Sequence, residues 1–141
     1  MNAHIDSFLG LPVLFSPTPG LLARLVGLGP SKHIVVGPRW DELTYEQQVA
    51  VLVHESYHGK CWHREIRYLL LPLCWAKWVQ ALARAQEFAC DRFACENGFA
   101  AEMLEVIKMS SHIPVDEFYP TAWERSKRIL DFMQRNHHAT A

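Results

Sequence analysis

A small, mostly helical α+β domain is the fold that the sequence predicts, and three observations predict it. The chain has 141 residues, half of them hydrophobic, which is one domain's worth of length with enough apolar side chains for a core. One short β-branched run, His33-Ile34-Val35-Val36, is closed by Gly37-Pro38 and reads as a strand and turn. From Thr44 onward, capped stretches with helical apolar spacing dominate.

Residues 1–30 form an apolar N-terminal segment, expected to be irregular. Its Phe8–Phe15 part lacks the Lys/Arg start and small-residue cleavage site of a signal peptide, so it is expected to pack over the core as an irregular or strand segment. The Leu21–Leu28 stretch carries a single Arg24 and is read as buried, with contact at a membrane surface as the alternative. Next comes the 33–36 strand, then a helix over about 44–62. Thr44 and Gln47 form a capping box at its start, and Val49, Leu52 and Val53 give it an apolar face.

The longest apolar run, Tyr68–Ala76, is bounded by Arg67 and Lys77 and broken by Pro72. A spanning helix needs about twenty apolar residues, so membrane contact is left open but spanning is not expected. A second helix runs from Ala76 to Asn97, stopped by Asn97-Gly98. A shorter helix follows near 100–110. A last one, near 121–135, is capped by Thr121 and Glu124. Residues 136–141 are expected to be a disordered tail; a zinc-binding role for its His137 and His138 that occludes the site is the alternative.

Composition narrows the function. A formal net charge of −1 and a pI near 6.7 give no basic footprint for nucleic acid. Cys61, Cys74, Cys90 and Cys95 include no Cys-x-x-Cys pair and are read as reduced thiols. Together with the missing signal peptide, this predicts a cytoplasmic protein.

The chemistry is carried by His54-Glu55-Ser56-Tyr57-His58. Histidines four apart stack on one helical face, so both imidazoles can bind one Zn²⁺ while Glu55 is left to activate the attacking water. A catalytic zinc takes a third protein ligand and keeps its fourth position for water. Glu87, Cys90 and His63 compete for that place. His63 reads as a solvated helix-end residue and Cys90 as a small core residue. Glu87 sits among Phe88, Ala89, Cys90, Phe93 and Ala94, an apolar setting unusual for a solvated carboxylate, and is favoured. Asp91, four residues on, shares its face and is placed to accept from a zinc-bound imidazole. A structural site from His54, His58, Cys61 and His63 would crowd four ligands into ten residues.

His54-Glu55-x-x-His58, then Glu87-x-x-x-Asp91, then Tyr119-Pro120-Thr121-Ala122-Trp123-Glu124-Arg125 resembles the gluzincin metallopeptidases. The pattern is similar to that of the CAAX-prenyl-processing, heat-shock and β-lactam-sensor peptidases and of the small soluble minigluzincins. It spans about residues 32–130. The resemblance implies a short β-sheet edge over the active-site helix and Zn²⁺ held by His54, His58 and Glu87. It implies Glu55 as general base and Tyr119, where the family usually has His, as a donor to the oxyanion. Ile34, Val35 and Val36 would be the cleft rim, where an extended peptide pairs by its backbone. The expectation is a zinc-dependent endopeptidase acting on a peptide or protein substrate. One alternative is a zinc-containing peptide-binding or regulatory protein without turnover, which would have no need of Glu55. The other is a metal-free helical protein with a chance motif. Substrate and oligomeric state are not legible.

Overall fold

A computed structural model describes residues 5–110 and 116–139. In chain order it contains β1 (Ser7–Phe8), β2 (Leu11–Phe15), β3 (Ala23–Val26) and β4 (His33–Val36). The helices are α1 (Tyr45–Lys60), α2 (His63–Leu69), α3 (Lys77–Glu96), α4 (Ala100–Met109) and α5 (Ala122–Ala139). The mostly helical α+β class is therefore as predicted.

The N-terminal segment departs from expectation. Instead of being irregular it supplies three of the four strands, in the order β1-β2-β4-β3. β2 runs parallel to β4 (Val13 beside Ile34) and β3 runs antiparallel to it (Leu25 beside Ile34). Val13, Leu25, Ile34 and Val36 are buried with Leu52 of α1 in one apolar cluster, so the sheet lies over the motif helix. Where the chain turns out of β4, Gly37 donates to the Leu22 carbonyl at 2.9 Å. A Cβ at Gly37 would fall 2.3 Å from the Leu21 carbonyl oxygen, so only glycine allows this approach.

The sheet order corrects the reading of Ile34, Val35 and Val36 as the peptide-pairing rim. β4 is the inner strand, with both backbone edges already paired. Among the described residues, the edge nearest the motif that no strand pairs belongs to β3. A four-residue run rich in Val and Ile reads the same at an edge or in the middle, because only its partners decide.

The predicted capping box begins α1: Gln47 N–H donates to Thr44 Oγ1, and Thr44 N–H to Gln47 Oε1. α1 stops at Lys60, short of the predicted 62. Trp62 takes a left-handed conformation (φ 57°), and the chain restarts as α2 at His63. Pro72 lies in a 3-10 turn between α2 and α3. Gly98, at φ 92°, ends α3 as expected. Ala50 and Val53 of α1 pack with Ala94 and Cys95 of α3, Met103, Leu104 and Ile107 of α4, and Ile129 of α5. α5 is capped by Thr121 and Glu124 but runs on to Ala139, so residues 136–139 of the expected tail are helical. Residues 140–141 lie outside the described residues. No disulfide joins the four cysteines. Among the described residues, no helix is long and apolar enough to cross a membrane.

Candidate metal centre

α1 and α3 pack side by side, with Tyr57 stacked on Phe93 at 4.4 Å between ring centroids. This brings the buried side chains of His54 and His58 against those of Glu87, Cys90 and Asp91, also buried. Nε2 of His54 lies 3.4 Å from Glu87 Oε2, and Nε2 of His58 lies 3.4 Å from Glu87 Oε1. Two imidazole nitrogens from one helix thus face the two oxygens of one carboxylate from another. Cys90 is a further donor: its sulfur and a nitrogen of each of His54 and His58 lie within 4.8 Å of one another. This buried cluster could hold a metal ion. Soft, neutral and anionic donors are all present, and two arginines, Arg67 and Arg125, pair with its carboxylates.

The charges around the cluster are arranged in pairs. His54 Nδ1 is 2.9 Å from Asp91 Oδ1, off the in-line direction of the ring N–H, so the contact is chiefly electrostatic. Burial opposes a charge on His54, but Asp91 and Glu87 outweigh it and raise its pKa to about 10 in the metal-free chain. Burial also opposes the Glu87 carboxylate, yet His54 and His58 hold its pKa well below the usual range. Asp91 is likewise held down against burial by Arg125, whose Nε and Nη2 donate to its two oxygens at 2.7 and 2.6 Å. Burial, with Glu87, Glu55 and Asp91 nearby, pushes the Cys90 thiol far up, which disfavours its thiolate.

Glu55 points to the sheet side. Its Oε2 accepts the Leu25 N–H of β3 at 2.7 Å, on the strand edge turned away from β4. On the same edge the carbonyls of Leu25 and Gly27 accept from Arg64 of α2 at 3.1 and 3.3 Å. Arg67, one turn further along α2, donates to Glu87 Oε1 at 2.8 Å and to Gln86 Oε1 at 2.6 Å. The ring of Tyr119 lies over the Arg67 guanidinium at 5.9 Å. Burial of the hydroxyl and the Glu87 charge raise the Tyr119 pKa against Arg67, although the residue as a whole is nearly half exposed.

His54, His58, Glu87 and Asp91 are therefore brought together, with Glu55 and Tyr119 at the margin. Ile34, Val35 and Val36 are not at the margin; they lie in the sheet. Three contributors escaped the sequence reading. Arg125 closed the motif block, but its pairing with Asp91 had no local signal. Arg67 looked like a flank of an apolar run. His63, read as solvated, is 7 % exposed and lies against His58. Comparison with family models, with curated proteins and with solved structures finds no match to this chain.

Proposed function

We propose that this chain is a zinc-dependent endopeptidase of gluzincin type, with His54, His58 and Glu87 as the metal ligands. The observation that carries the reading is the facing of both histidine Nε2 atoms onto one buried carboxylate, at 3.4 Å each. Two imidazoles and a carboxylate are a ligand set that suits catalytic zinc. When bound, zinc supplies Lewis-acid polarisation and acidifies water. The chain's own groups do the rest. Glu55, held through one oxygen by Leu25, keeps the other for a proton taken from the attacking water and returned to the leaving amine. Asp91, anchored by Arg125, orients His54. Tyr119 donates to the developing oxyanion. The peptide adds along the β3 edge by taking the carbonyls that Arg64 now occupies, while the Leu25 N–H stays with Glu55.

A peptide-binding role without turnover is the rival reading, and the intact Glu55 speaks against it. Contact with a membrane surface, the alternative to burial for Leu21–Leu28, suits the ridge from Tyr68 to Trp78 better. Tyr68, Leu69, Leu71, Trp75 and Trp78 are each more than half exposed. No Asp or Glu stands between Glu65 and Glu87, and Lys77 is exposed within the ridge. Such a surface suits an anionic bilayer face. Zinc analysis of purified protein tests the metal assignment: the wild type should hold one zinc per chain, and His54→Ala and Glu87→Ala should lose it. Retention of zinc by Glu87→Ala together with its loss from Cys90→Ala would replace Glu87 by the thiol.

A further inference from the structure

His58 uses its Nε2 toward Glu87, which leaves its other ring nitrogen to be accounted for. That atom, Nδ1, lies 3.0 Å from Nδ1 of His63, a hydrogen-bond distance between two buried rings. The rings meet edge-on, with centroids 5.0 Å apart and an interplanar angle of 78°. Cys90 Sγ is 3.7 Å from the same His63 nitrogen, a longer and weaker contact.

The fold holds His63 there firmly. Trp62 adopts the left-handed conformation that bulky residues avoid, and this turn restarts the chain as α2 with His63 as its first residue. The new helix is then fixed on both sides of that residue. Arg64 donates to the β3 carbonyls. Glu65 pairs with Lys32 at 2.8 Å and accepts the Gly29 N–H at 2.9 Å.

We infer that His63 is a positioning residue for the metal centre: its Nδ1 accepts the Nδ1 proton of His58 and so reserves His58 Nε2 for the metal. The inference rests on the proposed ligation by His58 and adds what that proposal does not contain. Imidazole has one proton to place when neutral, and a nitrogen that binds metal cannot carry it. With Nε2 committed, the proton must sit on Nδ1, and the nearest acceptor is His63. His63 then carries its own proton on Nε2. Asp91 stands 2.9 Å from His54 Nδ1 as a charge partner, so each zinc histidine has one group facing its second nitrogen, a carboxylate from α3 for the first and an imidazole from α2 for the second.

Zn²⁺ competition against a chromophoric chelator, on full-length wild type, His63→Ala and His63→Gln, tests this. Long-range ¹⁵N–¹H spectra of the zinc-loaded wild type accompany it. His63→Ala should keep one zinc per chain but bind it about 10–100-fold more weakly. His63→Gln, whose amide oxygen can accept the same proton, should recover part of that loss. The spectra should show His58 protonated on Nδ1. Zinc affinity in His63→Ala within about twofold of wild type, or His58 coordinated through Nδ1, would overturn the inference. So would complete loss of stoichiometric zinc in His63→Ala, since that marks a ligand. A folding defect in the variants leaves the wild-type spectrum to decide. Failure of the underlying proposal shows separately, as a wild type that takes up no zinc, and overturns both.

Discussion

Arg125 gives the sharpest test of how the centre is braced. Its guanidinium meets Asp91 through two bonds of 2.6 and 2.7 Å, and the two side chains are 19 % and 5 % exposed. Arg125→Met keeps the aliphatic stem and deletes the charge. Removing one member of a buried pair costs about 3–5 kcal/mol, because the other is left uncompensated. Water reaching the partly exposed Arg125 position, and the His54 charge that still faces Asp91 at 2.9 Å, argue for the lower end, about 3 kcal/mol. With a urea m-value of about 2 kcal/mol/M, the unfolding midpoint in chelator should fall by roughly 1.5 M. Asp91→Asn in the same background removes the stranded charge, so the double variant should lose less than the two single losses added, by more than about 1 kcal/mol. A midpoint shift worth less than about 0.5 kcal/mol in Arg125→Met, or simple additivity, would refute the view that this pair braces the centre.

Other outcomes follow from the same geometry. His54 has a raised pKa of about 10 in the metal-free chain, so its stabilising charge is fully present below about pH 6.5 and is lost as pH rises through about 10. Chemical denaturation in chelator should show stability falling over that window, and a profile flat across it would contradict the charge assignment. Tyr119→Phe should leave zinc content unchanged and lower kcat by roughly 10²–10³, measured on any peptide the wild type cleaves; an unchanged kcat would remove Tyr119 from the chemistry. Co-sedimentation with phosphatidylserine-containing vesicles should weaken by about tenfold or more in Leu71→Ser/Trp75→Ser, as two exposed apolar anchors are lost. Equal sedimentation of variant and wild type, or none by either, would remove the bilayer as the ridge's partner.

What could be read in the sequence was whatever depends on neighbours along the chain. The Thr44–Gln47 box is made of residues three apart, and it is present. His54 and His58 share a face because a helix has 3.6 residues per turn, and Glu87 and Asp91 share one for the same reason. What could not be read depends on distant partners. β2 contains Pro12, which argues against a strand, and it exists because β1 and β4 flank it. β4 looked like a rim because nothing in His33–Val36 records that β2 and β3 lie on both sides. His63 looked solvated because a continuing helix would have carried it outward. The left-handed backbone at Trp62, which brings it back under His58, leaves no mark in residue type. Arg125 and Asp91, 34 positions apart, meet only once α3 and α5 have packed.

The most direct test of the central claim is peptide cleavage by zinc-loaded protein, comparing the wild type with Glu55→Gln. The substrate is a broad panel of unfolded proteins, which presents many side-chain contexts at once. Gln retains the shape of Glu55 and leaves His54, His58 and Glu87 untouched, so zinc content should match the wild type. It cannot take up the water's proton at neutral pH. The wild type should cleave, and cleavage should fall to background in Glu55→Gln at equal zinc occupancy. Cleavage that persists in Glu55→Gln, or a zinc-loaded wild type that binds peptides and never cuts them, would contradict it.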